Sequence, residues 1–133
     1  MTRLVVDTSA LVAIVLGELD AERFAAVLND AVSIAVSVVS VVEATMVVEA
    51  RSGPDATRDL SLLLDAIDAT KVAVDTQQMN LAVEAWRRFG KGRHPAALNF
   101  GDCFSYALAA ARDEPLLFKG RDFGQTDVTS VLD

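Results

Sequence analysis

Short apolar runs alternate along the chain with longer segments of helical spacing, and this alternation constrains the fold more than any other feature. The runs are residues 3–6, 32–36, 71–74 and 115–118, with residues 127–132 as a fifth candidate. Apolar runs of this length, bounded by turn residues, predict buried strands. Strands that alternate with helices favour a parallel sheet covered on both faces. We therefore predict a three-layer α/β/α fold with a central parallel sheet of four to five strands.

The intervening segments carry apolar residues at helical spacing and end at recognisable stop signals. We predict helices over residues 10–16, 21–29, 39–51, 56–69, 76–89 and 101–112. Ser52-Gly53-Pro54 ends the third of these helices, because glycine closes a helix and proline does not continue one. Neither a repeat nor a linker interrupts the sequence, so residues 1–133 are expected to form a single domain.

The charge balance argues against nonspecific binding of nucleic acid. The 133 residues include 12 basic and 19 acidic side chains, which give a formal net charge of −7 at pH 7. A chain of this charge repels phosphate backbones unless basic residues are concentrated locally. Such a concentration exists at Arg87, Arg88, Lys91 and Arg93, and it fits either a solvated helix end or a substrate-facing patch.

Cysteine usage and hydropathy predict a cytoplasmic protein. The single cysteine, Cys103, excludes an internal disulfide and fits a reducing compartment. The longest uncharged stretch, residues 31–42, has 12 residues and is too short to span a bilayer. The N-terminus carries Asp7 beside its first apolar run and lacks a signal-peptide cleavage pattern. We therefore expect no membrane association.

Four acidic residues stand where predicted strands end or where a following helix begins: Asp7, Glu43, Asp102 and Asp122. The carboxyl ends of parallel strands meet at one edge of a sheet, where ligands bind in open α/β folds. Carboxylates gathered at one edge repel one another unless a cation is bound between them. Carboxylate oxygens favour hard cations such as Mg2+ or Mn2+ over Zn2+. The pattern therefore predicts a divalent-metal site.

Two of these acids also have a helix-capping interpretation. Ser40 and Glu43 fit a capping box, whereas a cap at Ser37 would place Glu43 a turn further into the helix. Asp102 fits the third position of a helix capped by Asn99, where its negative charge suits the helix dipole. The sequence leaves both alternatives open.

The other polar residues near these motifs have simpler interpretations. Asp122 lies in Gly-Arg-Asp-Phe-Gly, which is typical of a turn, and Asp127 is an alternative fourth ligand at the same sheet edge. Thr8 or Ser9 is expected to cap the first helix. The only histidine, His94, lies in a loop and is not placed to activate either hydroxyl, so serine-type catalysis is not expected.

Four segments resemble the motifs of PIN-domain ribonucleases, and more narrowly those of the VapC toxins of VapBC toxin–antitoxin systems. In chain order they are LVVDTSA at residues 4–10, SVVSVVE at 37–43, LNFGDC at 98–103 and LFKGRDF at 117–123. The resemblance covers nearly the whole chain, in the order of the family and at its usual length. It implies a PIN-like form of the three-layer fold.

The resemblance also implies a role for each matching residue. The four acids correspond to the catalytic quartet with which the family binds Mg2+ or Mn2+. Ser9 corresponds to the hydroxyl beside the first aspartate, which would orient that carboxylate. Many relatives have asparagine where this chain has Arg121, which alters the surroundings of Asp122.

A substrate and partners are implied as well. Members of the family cleave RNA, often structured RNA such as tRNA, commonly form homodimers and are inhibited by a VapB-type antitoxin. The expected function is therefore a metal-dependent endoribonuclease of a type II toxin–antitoxin system. Apolar helix surface between Ala10 and Met46 is the expected dimer surface. Contacts with the RNA backbone are expected from Arg87, Arg88, Lys91, Arg93, Lys119 and Arg121.

Two other classes of protein fit parts of the pattern. A catalytically inactive PIN-like binding module is expected to have lost at least one acid, whereas all four are present. A Mg2+-dependent phosphatase-like domain requires a second aspartate two residues after the first, where this chain has Ser9. A receiver domain requires paired acids after the first strand, and Asp7 has no acidic neighbour. A nuclease is therefore the favoured interpretation.

Overall fold

A four-stranded parallel sheet lies at the centre of the structure, a computed structural model in which residues 2–132 are described. The strands are β1 (Arg3–Val6), β2 (Ser33–Ser37), β3 (Thr70–Val72) and β4 (Leu116–Leu117). The helices are α1 (Thr8–Val15), α2 (Ala21–Asp30), α3 (Val38–Ser52), α4 (Pro54–Ala66), α5 (Thr76–Phe89) and α6 (Phe100–Arg112). Across residues 2–132, none of these helices has the length and apolar character needed to cross a membrane.

The strand order is β3-β2-β1-β4, and every neighbouring pair is parallel. β1 therefore has β2 on one side and β4 on the other, with Leu4 opposite Ile34 and Val5 opposite Leu116. In an open parallel sheet, such a reversal of strand order creates a crevice beyond the carboxyl ends of the strands. Asp7 directly follows β1 and is thereby placed at this crevice.

Two apolar cores flank the sheet, because successive side chains of a strand point to opposite faces. Leu4 and Val6 pack against α1 to α4, whereas Val5 packs against α5 and α6. All three side chains are fully buried. The predicted three-layer α/β/α fold is confirmed.

The predicted helices are present with ends shifted by a few residues, but the cap of α1 differs from the prediction. Asp7 is the N-cap, and its carboxylate accepts a hydrogen bond from the backbone N of Ser9. The prediction of Thr8 or Ser9 as the cap is therefore wrong by one or two positions. Thr8 is buried instead, and its Oγ1 donates to the carbonyl of Ser40 at 3.3 Å.

Residues 127–132 do not form a fifth strand. They meet the sheet through one parallel bridge between Leu116 and Ser130. Because β4 has only two residues, its outer edge offers few backbone groups for a further ladder. The sheet therefore has the lower of the two predicted strand numbers.

Candidate active site

Asp7 lies at the junction of β1 and α1, where hydrogen bonds fix its carboxylate. The side chain is 2% exposed. Ser9 donates to Oδ2 through its backbone N at 3.0 Å and its Oγ at 2.6 Å, and Ser105 Oγ donates to Oδ1 at 2.5 Å. Short hydrogen bonds to an ionised acceptor are strong and restrict the carboxylate to one orientation. Three of about four acceptor positions are used, so Oδ1 keeps capacity for a further ligand.

Glu43 projects from the second turn of α3. The helix is capped by Ser37, whose Oγ accepts from the backbone N of Val39 at 3.2 Å, so the capping box of Ser40 and Glu43 is wrong. Ser40 is fully buried within the helix. The Glu43 carboxylate lies against Gly101, where an added Cβ would stand 2.6 Å from Glu43 Cδ. Only glycine leaves room for the carboxylate in this position.

Asp102 has both a structural contact and a place at the crevice. Asn99 Oδ1 accepts from the backbone N of Asp102 at 2.9 Å, and Asp102 Oδ2 accepts from the backbone N of Asn99 at 3.0 Å. Burial raises the pKa of Asp102 to about 7, against the lowering effect of the Asn99 hydrogen bond, and the charges of Asp7, Glu43 and Asp122 raise it further. A nearby cation would favour the ionised carboxylate and reverse this shift.

Three of the four predicted acids meet in one cavity, the acid pocket. It has a volume of about 310 Å³ and is lined by Asp7, Glu43 and Asp102, with Ser9 and Asn99 beside them. The three carboxylates offer only oxygen donors, which hard divalent cations prefer. Within residues 2–132, no three Asp, Glu, His or Cys side chains stand at the separations of a formed coordination shell. The donor set fits such a cation, but binding one requires the carboxylates to move closer together.

The other two candidate acids lie outside the acid pocket. Asp122 is exposed at the start of a short 3-10 turn, Phe123–Gln125, and its charge still affects the pKa of Asp102. Asp127 accepts a hydrogen bond from Tyr106 Oη at 2.5 Å and pairs with Arg88 at 3.3 Å. These contacts occupy Asp127 beside a different cavity, so the geometry favours Asp122 as the supplementary acid.

Two basic side chains border the acid pocket, and Glu18 contacts both. Lys119 Nζ lies 2.7 Å from Glu18 Oε1, and an Arg51 guanidinium nitrogen lies 3.8 Å from Glu18 Oε2. The backbone N of Lys119 donates to Ser9 Oγ at 2.9 Å, which ties this segment to the hydroxyl that holds Asp7. Arg51 was not predicted. It follows Glu43 by eight residues, about two helical turns, and this spacing was the available signal.

Of the six basic residues predicted to contact RNA, all of them described, only Lys119 lines the acid pocket. Arg88 is paired with Asp127, and the Arg93 guanidinium lies over the Trp86 ring, 4.4 Å from its centroid.

Lys91 lines an apolar cavity of about 570 Å³ between α5 and α6, the aromatic groove. The aromatic groove is lined mainly by Met79, Val83, Trp86, Leu98, Phe100 and Phe104. Arg87 and Arg121 are exposed elsewhere.

Two buried serines join the elements that carry the acids, and they were not predicted. Ser40 Oγ lies 3.0 Å from Ser105 Oγ, which in turn donates to Asp7. Ser40 precedes Glu43 by three residues, and Ser105 follows Asp102 by three. Residues three apart share a helix face, so this spacing could have indicated that the serines lie near the acids.

His94 and Cys103 have structural surroundings. His94 Nδ1 accepts from the backbone N of Ala96 at 3.0 Å, and its ring packs edge-on against Phe89. Cys103 is buried, and burial together with the charge of Asp102 raises the pKa of its thiol to about 11. A thiol with a pKa this high is not a reactive nucleophile at neutral pH.

Comparison with known proteins agrees with this architecture. Residues 4–128 match the PIN domain. Ribonuclease VapC30 of Mycobacterium tuberculosis is 50% identical over 129 residues, which cover 96% of this chain and 98% of the relative. The crystal structure of Mycobacterium tuberculosis VapC20, a sarcin–ricin-loop-cleaving toxin, matches with a TM-score of 0.79 at 18% identity, covering 96% of this chain and 98% of that one. VapBC2 of Rickettsia felis, solved bound to a promoter DNA fragment, matches with a TM-score of 0.69 at 13% identity, covering 96% and 95% of the two chains.

A parallel α/β/α fold whose sheet edge gathers carboxylates from three elements defines the class of PIN-type nucleases. The chain belongs to the PIN-domain family, and within it to the VapC ribonucleases, the toxins of VapBC toxin–antitoxin systems. The family and the ribonuclease function predicted from the four motifs are confirmed at this level.

Proposed function

We propose that the protein is a metal-dependent endoribonuclease whose active site is the acid pocket. The observation that carries this proposal is the meeting of Asp7, Glu43 and Asp102 from three separate elements in one cavity. Carboxylates gathered in this way oppose one another without a cation, and their charges add to the rise that burial causes in the pKa of Asp102. Perturbed carboxyl groups in a cleft are characteristic of functional sites.

In this proposal Asp7, Glu43 and Asp102 would hold Mg2+ or Mn2+. Asp122 would complete the site or help to bind a second ion once a substrate phosphate arrives. A bound divalent cation would polarise the phosphodiester and make water a better nucleophile near neutral pH. Ser9 contributes by holding Asp7 Oδ2 with two hydrogen bonds, which fixes the orientation of that carboxylate before any ion binds.

Lys119 and Arg51 would contact the RNA backbone beside the acids. Both are paired with Glu18 at the rim of the pocket, and exposed ion pairs of this kind are weak enough to exchange. A phosphate that displaces Glu18 would therefore contact the positively charged side chains of both Lys119 and Arg51. In a chain with a net charge of −7, such local positive charge is required for RNA binding.

The substrate class that we infer is structured RNA, including tRNA. VapC20, which shares the fold, is a toxin that cleaves the sarcin–ricin loop. Loops and bulges of RNA present unstacked nucleotides and an accessible backbone, which an open pocket of about 310 Å³ can admit.

A VapB-type antitoxin and a second copy of the chain are the proposed protein partners. The Rickettsia felis neighbour is a VapBC complex, which supports an antitoxin partner. Two apolar surfaces are available: Val42 and Met46 on α3 are 59% and 67% exposed, and Trp86 and Phe100 of the aromatic groove are 48% and 77% exposed. Ala10 is fully buried, whereas Val42 and Met46 are the most exposed large apolar side chains on the helices of the predicted dimer surface.

Cleavage of cellular RNA by purified, antitoxin-free protein tests the proposal. We expect fragments with Mn2+ and none with a chelator, and we expect Asp7→Asn to abolish cutting. Asp127→Asn is the matched control and should cut as wild type does, because Asp127 is engaged by Tyr106 and Arg88. No metal-dependent cutting by the wild type, or equal cutting by Asp7→Asn, would overturn the proposal and favour an inactive binding module.

A further inference from the structure

A chain of buried hydrogen bonds lies behind the acid pocket. Ser40 Oγ is 3.0 Å from Ser105 Oγ, and Ser105 Oγ is 2.5 Å from Asp7 Oδ1. Both serines are fully buried, and neither lines the pocket. These bonds are therefore shielded from water, which would otherwise compete for the same groups.

The direction of the chain follows from the protons available. A serine hydroxyl has one proton to donate, whereas an ionised carboxylate only accepts. Ser105 therefore donates its one hydrogen bond to Asp7. In the bond between the two hydroxyls, Ser40 must then be the donor and Ser105 the acceptor. Hydrogen bonds that point the same way polarise one another, so Ser40 strengthens the bond that Ser105 makes to Asp7.

The two serines also lie beside the other two acids of the pocket. Ser40 is on α3, three residues before Glu43, and Ser105 is on α6, three residues after Asp102. The chain thus connects the end of β1 with α3 and α6, which are the three elements that supply the carboxylates. A shift of any one element would stretch a hydrogen bond that has no solvent substitute.

We propose that Ser105, supported by Ser40, is a positioning residue that holds Asp7 at the acid pocket and thereby raises the affinity of the three carboxylates for a cation. The inference rests on the proposed function, because it concerns the same cation. Ser105 acts through Asp7, since it does not line the pocket where cation and RNA would bind. Its removal would leave Asp7 Oδ1 without its hydrogen-bond donor, so that only Ser9, at Oδ2, would still hold the carboxylate.

A purely structural role is the alternative, since any buried hydroxyl needs a partner. The two roles differ in what they predict for cation affinity. A structural serine stabilises the fold and leaves Mn2+ affinity unchanged when replaced. A positioning serine changes Mn2+ affinity as well, by about 10- to 100-fold when its effect matches that of other partners of metal ligands.

Mn2+ binding measured by titration calorimetry on the full chain separates these outcomes. Ser105→Ala should weaken Mn2+ binding about tenfold or more relative to the wild type. Ser37→Ala is the matched control, because Ser37 is also fully buried and caps α3 without contacting an acid. The control should lower the melting temperature and leave Mn2+ affinity unchanged.

Ser40→Ala should give a smaller loss of affinity than Ser105→Ala, and it should add nothing in a Ser105→Ala background. Should Ser105→Ala fail to fold, Ser40→Ala decides the question alone. Wild-type affinity in the folded serine variants would overturn the inference while leaving the proposed function intact. A wild type that binds no Mn2+ would overturn both.

Discussion

The acid pocket and the aromatic groove lie on neighbouring parts of the molecule and are built in opposite ways. The acid pocket takes its carboxylates from three elements, and buried hydrogen bonds tie those elements together. The aromatic groove is apolar, and its exposed rings are held mainly by contacts within α5, α6 and the loop between them. Buried hydrogen bonds are thus concentrated at the sheet edge, whereas two residues of the predicted basic cluster lie at the groove, Lys91 in its lining and Arg93 over Trp86.

The largest expected effect contrasts the two regions directly. Glu43→Gln removes a charge from the acid pocket and should reduce metal-dependent RNA cleavage by more than about 100-fold, beyond the loss seen for residues that only support metal ligands. Trp86→Ala removes a half-exposed ring from the groove and should change the cleavage rate of the free protein by less than about threefold. Rates with a short RNA substrate and saturating Mn2+ measure both, and comparable losses in the two variants would erase the distinction.

The free energy of unfolding should depend on pH through Asp102 of the acid pocket. The pKa of Asp102 is raised from 3.8 to about 7, so the folded protein holds a proton that the unfolded chain releases between these values. The stability contributed by this group is therefore present below about pH 4 and is lost as the pH rises toward 7. Asp102→Asn should raise the free energy of unfolding at pH 8 without metal by about 1–2 kcal/mol, a figure reduced for partial solvent exposure.

Denaturant unfolding at pH 4 and pH 8 checks this sign. The two proteins should be equally stable at pH 4, because the wild-type carboxyl is then protonated. Mn2+ at pH 8 should stabilise the wild type and leave Asp102→Asn unchanged. A destabilised Asp102→Asn at pH 8 without metal would contradict the account.

Two glycines provide a matched pair of substitutions, one in each region. Gly101→Ala places a Cβ 2.6 Å from Glu43 Cδ, so the flexible glutamate must move, and Mn2+ affinity should fall about tenfold with little change in melting temperature. Gly90→Ala places a Cβ 3.1 Å from the backbone C of Trp86, so the chain itself must shift at a cost of about 1–3 kcal/mol. Its Mn2+ affinity should stay at the wild-type value. Calorimetry measures the Mn2+ affinity of both variants, and thermal melts measure their stability. Lower Mn2+ affinity in Gly90→Ala, or unchanged Mn2+ affinity in Gly101→Ala, would contradict the separation of the two regions.

The smallest expected effect concerns the basic side chains. Lys119→Met should weaken RNA binding about threefold and reduce the slope of log affinity against log salt by about 1, as expected for one lost phosphate contact. Arg88→Met is the control, because Arg88 pairs with Asp127 away from the acid pocket. Fluorescence anisotropy over a series of salt concentrations measures both slopes. Equal slopes for Lys119→Met and the wild type would remove Lys119 from the RNA-binding surface.

The sheet and the placement of three acids could be predicted from sequence because both depend on local patterns. Alternating strand and helix periodicity fixes the order of layers, and an acid directly after a strand, such as Asp7, has to lie at the carboxyl edge. Helix caps were harder, since Ser37 and Ser40 are both suitable caps for α3 by local chemistry. The structure settles this by starting α3 at Val38, so that Ser37 is the cap and Glu43 is free of a capping role.

The remaining features depend on contacts between residues distant in sequence. Ser105 and Asp7 are 98 residues apart, and no local pattern reveals that they are bonded. Asp127 and Arg88 likewise pair across the fold, a contact that no local pattern reveals. Charge density along the chain was therefore a weaker guide to the site than position relative to strand ends.

A Mn2+ titration of four acid variants at neutral pH tests the central claim, that three carboxylates jointly hold one cation. Asp7→Asn, Glu43→Gln and Asp102→Asn should each weaken Mn2+ binding by more than about tenfold. Asp127→Asn should bind as the wild type does, because its carboxylate is committed to Tyr106 and Arg88. Wild-type Mn2+ affinity in any of the first three variants would contradict the account.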